Sequence, residues 1–233
     1  IAAGGNQTIG IGTGAGGQLQ LDQAELNLLA ASQLVIGNGT SRILVGDPGS
    51  ASDTVTLLVP TSLAGTGSTT VLGSNVNVTG DFTVTDALMV SGGSYTVTAS
   101  GNLTISGGTT GIYSIAGQAS NNLTLQAGAV LSVGSSTGFT KGGTSNYINS
   151  LNLSGASITV AGTSQISGTL SLTSTGTASV SNFTAGSDIT LNNADTLTLS
   201  GSLSATLGTI AQTGVGAVTL GANLIAGTRI QFA

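Results

Sequence analysis

Short runs of alternating apolar and polar residues recur along the whole chain, each closed by Gly, Ser or Asn. Alternation at period 2 marks a strand with one buried face. Such pairs include Leu19/Leu21, Val55/Leu57, Val76/Val78, Phe82/Val84, Tyr95/Val97, Leu103/Ile105 and Leu123/Leu125. They continue through Leu151/Leu153, Ile158/Val160, Leu170/Leu172, Ile189/Leu191, Leu197/Leu199 and Val218/Leu220. Thr, Val and Ile dominate these runs, as strand propensity favours.

The spacing of the runs constrains the fold further. Positions 82, 103 and 123 lie 21 and 20 residues apart, and positions 151, 170 and 189 lie 19 apart. The wider step from 123 to 151 is expected to hold one inserted loop at 134–147, GSSTGFTKGGTSNY. A period near 20 predicts coils that stack so that each buries the apolar side of its neighbour. The expected architecture is an all-β parallel β-helix, or β-solenoid, forming one segment over 1–233 of a longer repetitive chain or fibre. Roughly eleven coils at about 4.8 Å each would make a rod on the order of 55 Å long.

Composition fits that architecture and removes others. Charged residues are 5% of the chain, and Arg42, Lys141 and Arg229 are its only cations, which excludes a phosphate-neutralising nucleic-acid surface. Thr, Ser, Asn or Gly interrupts every apolar run well short of the roughly 20 residues a spanning helix needs, so membrane insertion is not expected. Only two prolines occur, Pro48 and Pro60, as expected where interior strands must donate their N–H groups to a neighbour. Cys and His are absent, so thiolate chemistry and the commonest metal ligands are missing too.

One segment departs from the strand pattern. In 22–31 (DQAELNLLAA), Asp22 and Glu25 stand three apart in an N-capping pattern, and Leu26, Leu29 and Ala30 follow at helical intervals. A short helix or helical turn is expected there, then a strand at Leu34–Ile36 and a turn at Gly37-Asn38-Gly39.

The run LQLDQAELNLLAASQLVIGNGTSRILVG resembles a recurring element of large filamentous-haemagglutinin-like exoproteins of Gram-negative bacteria. Ala24, Glu25, Leu26, Leu29, Ala31, Leu34, Ile36 and Gly37 carry the match, with Thr40 or Ser41 before the next strand. DITLNNADTLTLSGSLSA and GAVTLGANLIAG are similar to the degenerate strand repeats of the same proteins. The resemblance implies a right-handed β-helix, secreted through a dedicated outer-membrane partner and serving adhesion or cell-surface contact. The Asn-Pro motifs of that family's secretion domain do not occur here, so the resemblance implies a shaft segment.

Candidate chemistry is sparse. Asp188 with Asp195, and Asp81 with Asp86, are the carboxylate pairs a polysaccharide-cleaving β-helix would need. Turn carboxylates explain the same residues without catalysis. Asp47 and Asp53 are the candidates for an incidental calcium ion. Thr-x-Thr pairs at 54/56, 83/85, 96/98 and 196/198 raise an ice-binding face, yet their first members lie 29, 13 and 100 residues apart. The Asn-x-Ser/Thr sites at Asn102, Asn122, Asn152 and Asn182 read as turn asparagines that cap the following strand. Phe82, Tyr95 and Phe183 are expected in the core. Phe139, Lys141 and Tyr147, in or beside the inserted loop, are the candidate contact residues.

The resulting expectation is a structural or adhesive extracellular filament with no catalytic residues, no cofactor and no metal. A glycan- or ice-binding solenoid and a polysaccharide-active enzyme are the alternatives. Self-association end to end, or continuation of the same chain, is the expected partnership, because no polar cap is evident at either end and open coil edges template further pairing. Low surface charge also permits lateral bundling.

Overall fold

The computed structural model of the chain describes residues 7–37, 42–47, 53–64, 69–115, 121–134, 138–139 and 147–233. They form a parallel β-solenoid whose successive coils visit three faces around one apolar interior. Face I is a nine-stranded sheet: Thr54–Leu57, Asn75–Val78, Tyr95–Ala99, Leu123–Ala127, Leu151–Gly155, Leu170–Ser174, Ile189–Asn193, Thr209–Gln212 and Arg229–Phe232. Face II also has nine strands, running from Leu34–Ile36 through Phe82–Val84, Leu131 within Val130–Val133, and Ala178–Val180 to Val218–Leu220. Face III is a six-stranded sheet up to Ile112–Ser114 and a four-stranded sheet from Ser164–Ile166 onward.

Alternation decides which side chains enter the core. Along face I, Val55, Val76, Val97, Leu125, Leu153, Leu172 and Leu191 stack in one buried column, each in register with the next. Phe82, Tyr95 and Phe183 are all buried, as expected. Face III differs in its N-terminal half. There the outward column is itself apolar (Leu44, Val71, Met89 and Tyr113), and Val71 and Tyr113 are buried. These strands read RILV, TTVL and ALMV, so the period-2 signal is lost.

Coil length varies more than the sequence spacing indicated. Leu103 pairs with Leu131 on face II, and Leu123 belongs to face I, where it pairs with Tyr95 and Leu151. The series 82–103–123 therefore crosses from one face to another. Two consecutive coils, not one, are 28 residues long. The first extra length falls between Ile105 and Asn121, ahead of the expected loop. These long coils, and a helix in place of one strand, give nine strands per main sheet instead of about eleven coils.

The helix spans Gln23–Asn27 and has the expected capping box: Asp22 Oδ1 accepts from Glu25 N at 2.8 Å, and Glu25 Oε2 accepts from Asp22 N at 3.0 Å. It lies one coil ahead of Thr54–Leu57, where a face I strand would otherwise stand. Leu26 is buried against the core. Gln23 replaces the missing strand chemically. Its Oε1 accepts from Thr56 N at 2.9 Å, and its Nε2 donates to Thr56 O at 2.8 Å. One side-chain amide thus satisfies both outer peptide groups of Thr56 in the edge strand, groups that are costly to leave unpaired when covered. The N-terminal end of face I is capped, contrary to the expectation of two open ends.

Candidate functional site

The three contact candidates separate in the structure. Phe139 is fully buried, so it is not an exposed contact residue. Its N–H donates to Ser164 Oγ at 3.1 Å, its carbonyl accepts from Gln165 N, and it bridges to Ile112 of the preceding coil. Its ring sits 6.3 Å from that of Phe183, tilted by 55°. Phe139 is therefore a single-residue rung joining the two sheets of face III. The physical reason is parity: Phe139 occupies an inward strand position that its Gly- and Thr-rich neighbours disguise as loop. Tyr147 is half-buried, and Lys141 lies outside the described residues.

The carboxylates act at corners. Asp81 Oδ1 accepts from Asn102 N at 2.7 Å, and Asp188 Oδ1 accepts from Thr209 N at 2.7 Å, each one coil further on. Asp195 Oδ1 accepts from Thr196 N at 2.7 Å. Asp81 and Asp86 bracket the strand Phe82–Val84, and Asp188 and Asp195 bracket Ile189–Asn193. At a strand rise of about 3.3 Å per residue, the intervening strand holds the backbones of each pair on the order of 10 Å or more apart. Paired catalytic carboxylates stand about 5–9.5 Å apart. Neither pair converges, and Asp86 is buried. Among the described residues, no group of three or more His, Cys, Asp or Glu could hold a metal ion.

Asparagines repeat the corner role. Asn102 Oδ1 accepts from Val130 N at 3.1 Å, Asn122 Oδ1 from Ser150 N at 3.1 Å, and Asn182 Oδ1 from Ser202 N at 2.9 Å. These asparagines are corner acceptors, but not for the strand that follows each in sequence, as expected: each caps the coil stacked above it. Asn152 differs, lying on the outward side of its strand.

The outward surfaces of faces I and II are uncharged ladders. On face II, Ser62, Thr83, Thr104, Ser132, Thr159, Ser179, Thr198 and Thr219 form one unbroken column of hydroxyls. On face I, Thr56, Asn77, Thr98, Gln126, Ser154, Thr173 and Asn192 form a mixed column. Some members bond to each other, as Thr98 Oγ1 does to Gln126 Oε1 at 3.2 Å. The Thr-x-Thr pairs distribute over both faces. Thr54/Thr56 and Thr96/Thr98 belong to face I, with Asn75/Asn77 between them, while Thr83 and Thr198 belong to face II. Sequence reasoning missed the face II ladder because its members are spaced by coils of unequal length.

The chain matches no family model, no curated protein and no solved structure. Among the described residues, no helix is long and apolar enough to cross a membrane.

Proposed function

We propose that this chain is a shaft segment of an extracellular structural or adhesive filament, and that its work is mechanical. The observation that carries the reading is the pair of long uncharged outward ladders on faces I and II, beside carboxylates committed to corner hydrogen bonds. A mixed Ser/Thr/Asn surface on a continuous parallel ladder suits a rigid rod whose strength runs along its axis. Coils are tied to their neighbours by backbone bonds along faces I and II and within the two sheets of face III, and several corners add a side-chain bond. The resemblance of 19–46 to filamentous-haemagglutinin-like exoproteins supports placement at the cell surface, with export by an outer-membrane partner. Catalysis has no support in the arrangement of the acidic residues. An ice-binding face has little, since Asn and Ser interrupt the threonines.

The test is electron microscopy of native material combined with protease shaving of intact cells. The expected result is surface-exposed filaments with an axial repeat of about 4.8 Å. Protein confined to the cell interior, or dispersed particles with polysaccharide-cleaving activity, would overturn the reading.

A further inference from the structure

The coil order is broken at one place. On face III the strand Thr8–Ile11 lies between Leu19–Leu21, which follows it in sequence, and Arg42–Val45. Ile9 is in register with Leu19 on one side and with Ile43 on the other, and both Ile9 and Ile11 are fully buried. Later returns to this sheet, from Arg42–Val45 through Thr69–Leu72 and Ala87–Val90 to Ile112–Ser114, each climb by one strand. The return from Leu19–Leu21 to Arg42–Val45 climbs by two. The helix accounts for the extra step. An α-helix with its side chains is about 10–12 Å across, the height of roughly two strands spaced about 4.8 Å apart. Where face I carries Gln23–Asn27, face III is filled by two strands.

The backward step is made by residues 12–18 alone, well short of the roughly dozen residues that ordinarily join parallel neighbours. Gly12, Gly14, Gly16 and Gly17 all have positive φ, a conformation that residues with a side chain rarely adopt. A Cβ at Gly17 would stand 2.8 Å from the Thr8 carbonyl oxygen, and one at Gly10 would run into that of Gly16. Gly12 N donates to Leu21 O at 2.8 Å, and Gln18 N donates to Thr8 O at 3.0 Å, so the return is pinned at both ends.

We propose that residues 8–36 are a start element, which opens a separate block of solenoid and bars the chain ahead of it from stacking as one more regular coil. In a regular solenoid, the face III position next to Thr8–Ile11 on its N-terminal side belongs to the coil before it. Here Leu19–Leu21 fills that position. On face I the corresponding position is held by the helix, whose Gln23 takes both outer peptide groups of Thr56. Two of the three faces are thus occupied by residues of the element itself, whatever chain stands ahead of it. Copies in series then fold and unfold as separate blocks. For a filament shaft the consequence is a jointed rod; that consequence rests on the filament reading, while the block boundary does not.

The experiment is calorimetry on two fusions. In the first, a whole second copy of the 233-residue chain follows the first copy. In the second, the first copy is followed by 58–233 only, so that the face I strand Arg229–Phe232 runs into the face II strand Thr61–Leu63 with no start element between them. The whole-copy fusion should melt at the temperature of the single chain, with a ratio of calorimetric to van't Hoff enthalpy about twice that of the single chain. The 58–233 fusion should melt as one longer stack, at a higher temperature and with the single chain's ratio, because each added coil adds an interface. One cooperative unit in both fusions would overturn the proposal. Two independent units in both would also overturn it, since the boundary would then not be set by 8–36. X-ray scattering is a second readout: one longer straight rod is expected from the 58–233 fusion and two jointed rods from the whole-copy fusion. A straight rod from the whole-copy fusion counts against the boundary. None of these outcomes bears on whether filaments stand at the cell surface, so failure here is distinct from failure of the filament reading.

Discussion

Thr70 shows how strictly position governs this core. It stands in an inward column of face III between Ile43 and Leu88, is buried, and its hydroxyl has no hydrogen-bond partner among the described residues. An unsatisfied buried hydroxyl costs about 1–3 kcal/mol. Thr70→Val keeps the shape and removes the polar atom, so a gain of about 1 kcal/mol in denaturant-determined stability is expected. Unchanged or lower stability would mean that the hydroxyl has a role the packing does not reveal. Phe139 is the opposite case, a large ring on which a whole rung depends. Phe139→Ala should lose about 3–5 kcal/mol, measured as a lower denaturation midpoint, with Phe139→Leu losing less. A surface contact residue would tolerate both changes. Phe82, Tyr95 and Phe183 were legible as core residues because each sits in an alternating run. Phe139 was not, because its strand is one residue long and parity needs neighbours to be seen. Gly46 is held by conformation as well as space: its φ is +72°, and a Cβ there would run into the Ser74 side chain.

Strands on faces I and II were readable locally, since one side meets the core and the other meets water. Most of face III was not. RILV and ALMV are apolar on both sides, and a short continuous apolar run does not declare its pairing. The helix was the most legible element, because its capping box is confined to Asp22 and Glu25. Its partner strand was invisible, since Gln23 and Thr56 meet only after a full coil has been wound. Corners hold the elements in register through side-chain acceptors. Asp188→Ala removes the acceptor for Thr209 N and should cost about 1 kcal/mol, whereas Asp188→Asn retains an oxygen there and should cost little. Thermal melts of the two variants measure the difference. Equal losses would show that the charge, not the hydrogen bond, is what matters at that corner.

For the whole molecule, stability should be nearly a sum over coils and the contacts between adjacent coils. Residues 170–188 make one complete coil: Leu170 and Ile189 are equivalent on face I, and so are Leu151 and Leu170 before them. Deleting 170–188 rejoins equivalent positions and shortens each face by one strand. The product should retain its strand signal in circular dichroism and still melt cooperatively. Loss of that signal would mean the coils are not interchangeable. Removing only half a coil should be far more damaging, because it sets face I strands against face II strands. The sequence by itself determined that the chain makes short half-buried strands, that they stack as coils near 20 residues, and that one helix interrupts them. Those are local consequences of period-2 alternation, turn chemistry and capping. Only the tertiary structure decided which strands share a face, that two adjacent coils are lengthened, and that Phe139 points inward. Pairing between coils joins residues 19 to 34 positions apart. A one-coil change in length leaves every local pattern intact while shifting all of the partners.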